Sequence, residues 1–184
     1  MGADRIKEIR EALLFGVRRS IRYHSRRRQF FDRYRLFTNA ISVIFGSAAI
    51  AAVLSPLGKE YTVGAAAMVT VFSLVDLVVG SARMARVHED LYRRFIDLEK
   101  GIISIPEEKF TEADGTHLTA ARLSIEADEP PVKRVLDSLC HNELLRAMGY
   151  GREEFVKVRW YQRLFAQLLD IQEHRVTKYN QRAA

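Results

Sequence analysis

The sequence has a single cysteine, Cys140, among 184 residues, so no disulfide can close within the chain and a secreted disulfide scaffold is excluded. Prolines number four and there is no long Ser/Gly tract, which argues against a disordered linker. Several signatures of chemistry are also missing. The chain has no phosphate-binding GxxxxGK[ST], no GxSxG, no CxxC and no dinucleotide fingerprint. No stretch alternates apolar and polar residues for long enough to read as a strand, so the fold class expected is all-α. No signal peptide is evident, because the first apolar run begins only at Leu36, behind a charged amphipathic segment. Acidic residues are outnumbered, 23 Asp and Glu against 29 Lys and Arg. The resulting net charge of +6 suggests an anionic partner: nucleic acid, anionic lipid or nucleotide.

A mean hydropathy of -0.13 resembles that of a soluble protein. The average conceals a concentration of apolar residues between Leu36 and Ala82. Residues 36–58 carry no charged side chain, and about 20 apolar residues suffice to cross a bilayer. A second run, 61–82, is interrupted only by Asp76. The connector Ser55-Pro56-Leu57-Gly58-Lys59-Glu60 is too short to return the chain across a membrane, so two spans joined by it run antiparallel. Their Leu, Ile, Val and Phe residues, at roughly -0.3 to -0.6 kcal/mol each, favour insertion by about 3 to 5 kcal/mol per span. Asp76 offsets about 3 kcal/mol of the second. The first span should therefore insert alone and the second with its help. Arg26, Arg27, Arg28, Arg33 and Arg35 precede the first span, and Arg83, Arg86, Arg93 and Arg94 follow the second. Basic flanks stay inside, so both termini are expected in the cytoplasm, on the inner membrane of a cell.

The charged flanks are patterned. Ile6, Ile9, Leu13, Val17, Ile21, His24, Phe31 and Tyr34 recur mostly every three or four residues, as do Met84, Val87, Leu91, Phe95, Leu98 and Ile102. Two such helices leaving a hairpin side by side should pack as an antiparallel coil. If the connector fixes the register, Phe31 falls near Met84, His24 near Leu91, Val17 near Leu98 and Leu13 near Ile102. The expected organisation is thus residues 1–105 as an N-terminal helix, a two-span hairpin and a post-span helix, and residues 106–184 as a cytoplasmic helical region packing on that arm. In the latter, Pro106 ends the arm. A helix through Phe110, Leu118, Leu123 and Ile125 follows, with Gly115 its weak point. Pro131 opens a helix through Val135, Leu136, Leu139, Leu144 and Leu145. After the turn Gly149–Gly151, a last helix buries Phe155, Val158, Leu164, Phe165, Leu168, Leu169 and Val176.

Candidates for chemistry are few. His88-Glu89-Asp90-Leu91-Tyr92 begins like the zinc-protease HExxH but ends in tyrosine, so the second ligand is missing and no metal is expected. Cys140 and His141 are adjacent, and adjacent helical residues point about 100 degrees apart, which suits a core cysteine better than a nucleophile with its base. No enzyme and no cofactor are expected. Arg18, Arg19, Arg22, Arg26, Arg27 and Arg28 either hold nucleotide or nucleic-acid phosphate or set topology against anionic headgroups. Their position beside the span favours the headgroup, and no nucleic acid is expected. Within the spans, Asn39, Ser42, Ser73 and Asp76 form a polar set, Asn39 level with Asp76 and Ser42 with Ser73. An ionisable residue inside a span is a functional candidate. Two readings stay open: Asp76 bonds Asn39 and locks the hairpin, or the set lines a polar path in an oligomer. Ser42, Gly46, Ala49, Gly64 and Gly80 leave room for close helix approach.

The segment YHSRRRQFF, the two adjacent apolar runs, HEDLYRRFIDLEKGI and the later EADEPPVKRVLDSLCHNELLRAMGYG together resemble the SLATT family of two-span prokaryotic proteins, over nearly the whole chain. The resemblance implies a membrane effector of conflict systems such as antiphage defence, one that forms pores or disrupts lipid as a homo-oligomer. With no sensor domain fused here, the trigger implied is a companion sensor protein or a nucleotide second messenger. The alternative is a non-conducting membrane adaptor whose cytoplasmic coil recruits partners. A third reading is a soluble basic bundle that binds nucleic acid with its apolar runs as core.

Overall fold

A computed structural model describes residues 2–54 and 59–169. Its regular structure is helical throughout, and no strand occurs among the described residues. In order come α1 (Gly2–Leu54), α2 (Lys59–Val79), α3 (Ser81–Ser104), α4 (Glu112–Glu126), α5 (Arg134–Ala147) and α6 (Trp160–Phe165), with 3-10 turns at Glu107–Lys109 and Arg152–Glu154. The chain divides into two compact units. One comprises Met1–Arg26 with Glu89–Ala184, the other Arg27–His88. In the first unit the start of α1 and most of α3 pack with the C-terminal helices.

The unit Arg27–His88 holds most of the apolar sequence. Among the described residues, one stretch, Thr62–Ser104, is long and apolar enough to cross a membrane; its most apolar window has mean hydropathy 2.1 and is 6% buried. A helix in the core of a soluble domain would be mostly buried instead. Exposed large side chains include Leu36, Val43, Ile44, Val63, Leu74, Leu77 and Val78. The connector residues 55–58 lie outside the described residues. At the other end, Gly80 adopts φ 60°, a conformation cheap only for glycine. Its N–H donates to the Asp76 carbonyl (2.8 Å) and its carbonyl accepts from Met84 N–H (2.9 Å). Gly80 is thus both the last donor of α2 and the first acceptor of α3. The apolar run expected to end at Ala82 breaks two residues earlier.

That break shifts the register. Phe31 stacks on His88 (5.7 Å between ring centroids), one turn beyond the expected Met84. Phe37 meets Phe72 edge-on (6.1 Å), where a connector-set register would place Val78. The two displacements have opposite sense on either side of Gly80. A single register needs one unbroken helix, and α2 and α3 are two.

The unit of the termini is an ordinary packed domain. The early part of α1 contributes Leu13, Leu14, Val17 and Tyr23, and α3 contributes Leu91, Phe95, Leu98 and Ile102, all buried. The alternation of three and four in both stripes is what places them on facing sides. His24 stacks on Phe95 (5.5 Å) rather than Leu91, again one turn along. Helix α4 opens with a capping box: Thr111 Oγ1 accepts from Asp114 N–H (3.2 Å) and Asp114 Oδ2 accepts from Thr111 N–H (2.9 Å). Gly115 is a contact site and not a weak point, since a Cβ there would lie 2.9 Å from Ile9 Cγ2. Leu123 is exposed, against expectation.

A second cluster joins Tyr23, Val135, Leu136, Cys140 and Ala166, with Leu139 and Val158 against it. Here two helix starts fall later than the sequence suggests. Tyr23 Oη accepts from Lys133 N–H (2.9 Å), holding the residues after Pro131 extended, so α5 begins at Arg134. The Asn142 side chain donates to the Val156 carbonyl and accepts from its N–H (both 2.7 Å). That pairing keeps residue 156 extended along α5 and confines α6 to six residues. Leu164, Leu168 and Leu169 are exposed in consequence, and Val176 lies outside the described residues. Helix α5 closes on Gly149 at φ 83°, with Tyr150 N–H bonded to the Leu145 carbonyl and Gly149 N–H to that of Arg146, a Schellman motif.

Candidate functional site

The polar set within the apolar unit is not assembled around Asn39. Asp76 stands in the last turn of α2, and its Oδ1 accepts from Ser81 Oγ (2.6 Å), the first residue of α3. Ser81 is buried. The carboxylate therefore bridges the Gly80 break, with its own carbonyl bonding Gly80 and its side chain bonding Ser81. Asn39 and Ser73 are exposed, and Ser42 is half-buried. Tyr34 responds to this charge. Its hydroxyl pKa lies above the ordinary phenol value, first through loss of hydration and then through the nearby Asp76 carboxylate.

The six arginines of α1 fall to separate tasks. In the unit of the termini, Arg18 Nε donates to Glu99 (2.6 Å), Arg19 pairs with Asp137 (3.2 Å), Arg22 donates to the Arg18 carbonyl (3.2 Å), and Arg26 pairs with Glu143. In the apolar unit, Arg27 is buried with its guanidinium 4.6 Å from the Phe31 ring centroid, and Arg28 pairs with Asp32 (3.6 Å). They do not form one anion-binding row. Four of the six already face a carboxylate, and the sequence hides three of these, since Glu99, Asp137 and Glu143 are distant along the chain.

Two further candidates are structural. His88 lies buried against Phe31, and Glu89 beside it pairs with Arg93 (2.8 Å). Among the described residues, no group of three or more His, Cys, Asp or Glu is placed to hold a metal ion. Cys140 is buried in the second cluster, and burial pushes its thiol up to about 12, far from a reactive thiolate. His141 turns away to meet Phe15 edge-on (5.2 Å).

Sequence reasoning missed a cavity of about 480 Å³ between α5, the 152–158 segment and α6. Arg26, Arg146, Arg152, Lys157 and Arg163 line it, together with the Glu143 carboxylate, Phe155 and Val158. Its signal was the run Arg152 to Arg163, where cations interleave with Phe155 and Val158, but a last helix had been read there. No protein-family model, no curated protein and no solved structure matches the chain.

Proposed function

We propose that the chain is a membrane effector of prokaryotic conflict or antiphage defence that permeabilises the inner membrane as a homo-oligomer. The observation that carries the reading is the apolar unit, whose most apolar helix window has mean hydropathy 2.1 and is 6% buried. On this reading the uncharged end of α1 and α2 form a two-span hairpin. Both termini lie in the cytoplasm with the basic flanks, and only Ser55 to Glu60 lie outside. Two helices enclose no channel, so conduction requires several copies. Gly46 and Gly64 support close approach of a neighbouring helix, since a Cβ at either would meet nothing within 4 Å. The trigger is a companion sensor protein or a diffusible nucleotide, as the resemblance to the SLATT family implies.

A non-conducting adaptor is the second reading, and the Asp76–Ser81 bond favours it, because the carboxylate is satisfied within its own chain. Reconstitution decides between them. The full chain in liposomes of bacterial lipid, activated in a lysate of infected cells or by raised density, should release an encapsulated dye if it is an effector. Asp76→Asn keeps a carbonyl to accept from Ser81, so it should preserve assembly while altering the leakage or its ion selectivity. Membrane association without leakage at any density would leave the adaptor. Recovery of the full chain in the soluble fraction without detergent would remove both readings and restore the soluble bundle.

A further inference from the structure

Around the cavity against α5, cations outnumber carboxylates. Elsewhere in the unit many cations face a carboxylate: Arg5 with Glu112, Arg18 with Glu99, Arg19 with Asp137, Arg94 with Asp128, Arg122 with Glu126. Around the cavity the balance fails. Five cations line it against one carboxylate, Glu143, and Arg26 already holds that. Arg146 lies over the Phe155 ring (5.6 Å to the centroid). Arg152, Lys157 and Arg163 have no acidic partner among the described residues. Glu153 and Glu154 share the 3-10 turn with Arg152 but do not line the cavity.

Cations gathered at close quarters repel one another, and a surplus without counter-charge is unfavourable unless an anion completes it. Much of the remaining wall is apolar, with Leu136, Leu139, Phe155 and Val158, beside the amides of Asn142 and Gln167. The wall is also held in place. Both backbone groups of Val156 are bonded to Asn142 on α5, which fixes the two flanking residues, Phe155 and Lys157, at the rim before any ligand arrives. The volume of about 480 Å³ lies in the range of small-molecule sites. We infer that this cavity binds an organic phosphate from solution: a polyanionic head held by Arg152, Lys157 and Arg163, and a planar or apolar body against Phe155 and Val158. Arginine suits the head because its fork donates two parallel bonds to a phosphate. The site is concave, which fits a small molecule better than a nucleic-acid strand. It stands apart from the membrane reading, since binding needs neither a pore nor a bilayer.

The test is calorimetric titration of the full chain in neutral detergent with ATP, which has head and body, and with inorganic pyrophosphate, which has the head alone. ATP should bind with a dissociation constant of roughly 1–100 µM and pyrophosphate about ten-fold more weakly. Replacing Arg152, Lys157 and Arg163 together by Gln should weaken both at least about ten-fold, since those side chains are exposed and their loss leaves the core intact. Phe155→Leu should weaken ATP and leave pyrophosphate unchanged. A matched Arg5→Gln, Arg18→Gln control should bind like the native chain. Absence of binding by both probes up to millimolar levels, or equal binding by the triple variant, overturns the inference. Loss of ATP affinity on adding phosphatidylglycerol to the micelles, for the native chain and not the triple variant, would assign the cavity to a lipid headgroup and overturn the soluble ligand.

Discussion

Two phenylalanines show how differently the two units treat the same side chain. Phe95, in the unit of the termini, is fully buried and stacked on His24. Phe37, in the apolar unit, is 54% exposed, touching Phe72 by one edge. The charges run the other way. In the unit of the termini they lie on the surface in pairs that span long sequence separations, such as Arg18 with Glu99. In the apolar unit they are rare after Arg35, and Asp76, the carboxylate within the apolar part of α2, is tied to Ser81. The first unit uses water to sort its residues, hiding what water rejects. The second is sorted by something else, because it leaves outside what water would drive in. Thr62–Ser104 is long and apolar enough to cross a membrane, and in hydrocarbon exposed Val78 and Leu77 would rest in their preferred medium.

The largest expected difference comes from removing each ring. Phe95→Ala should destabilise the unit of the termini by about 3 to 5 kcal/mol, from lost burial and the cavity left behind. Phe37→Ala loses an edge contact worth about 0.5 to 1.5 kcal/mol and a smaller share of burial, since the residue is already more than half exposed. Unfolding of both variants in mild detergent, followed by circular dichroism, measures the contrast. Equal losses would mean that the apolar unit packs as a water-sorted core after all.

A charge placed on the exposed face should separate the units next. Val78 is 85% exposed, and arginine there costs insertion about 3 kcal/mol if the face meets lipid, shifting the protein out of the membrane fraction about 100-fold. Leu123→Arg, on an exposed position of α4, should change neither stability nor fractionation by a measurable amount. Identical fractionation of the two variants would break the comparison and return Val78 to an aqueous surface.

How far the sequence foretold this arrangement depended on the range of the interaction. The helices of α1 and α3 were legible because periodicity is local, and Val17, Phe95 and Ile102 fall where the three-and-four spacing puts them. The polarity contrast was legible for the same reason. The register failed because it assumed that α2 and α3 were one helix, and Gly80 in a run of small residues gives no sign of its positive φ. The helix starts after Pro131 and before Trp160 failed because Tyr23 and Asn142 decide them from far along the chain. The partners of Arg18, Arg19 and Arg26 were hidden on the same ground: Glu99, Asp137 and Glu143 come from helices that only folding brings near, whereas Arg28 meets Asp32 on its own helix. The basic cavity had a local signal, cations interleaved with Phe155 and Val158, but it was absorbed into an expected helix face.

The two positive-φ glycines offer a smaller test, one in each unit. Neither Gly80 nor Gly149 has an atom within 4 Å of where a Cβ would stand, so alanine at either meets only the backbone penalty of about 1 to 2 kcal/mol. The cost should be equal, but its consequence should differ. Gly149→Ala loosens a helix end that water can solvate, and its effect should stay within α5. Gly80→Ala strains the joint that Asp76 and Ser81 bridge, where relaxation would need α2 and α3 to fuse or part. Hydrogen exchange should therefore rise locally at 146–151 in the first variant and across 76–84 in the second. Local change in both would show that the joint is no more than a turn.

The smallest expected effect is a pH response confined to the unit of the termini, where two carboxyls depart from the ordinary value in opposite directions. Asp137 is raised, chiefly by burial, against the pull of Arg19 and His141. Its charge is thus a burden in the folded state at neutral pH, and that burden is relieved as pH falls through the folded pKa and the carboxyl takes up a proton sooner than in the unfolded chain. Asp114 is lowered, chiefly by its hydrogen bonds with Thr111. Its contribution is present above the unfolded value of 3.8 and is lost as pH falls through the lower folded pKa. Acidification from neutral should first firm the α5 end of this unit and then, below the ordinary carboxylate range, loosen the start of α4. Asp137→Asn should flatten the first change and leave the second. Asp114→Asn should do the reverse, and should also expose the first turn of α4 at every pH, because the amide accepts the Thr111 N–H less strongly than a carboxylate does. Exchange rates for 112–118 and 134–141, read between pH 3 and 7 after correction for intrinsic chemistry, measure both limbs in one experiment. A single limb that survives both substitutions would place the titrating group elsewhere and detach the pH response from these two helices.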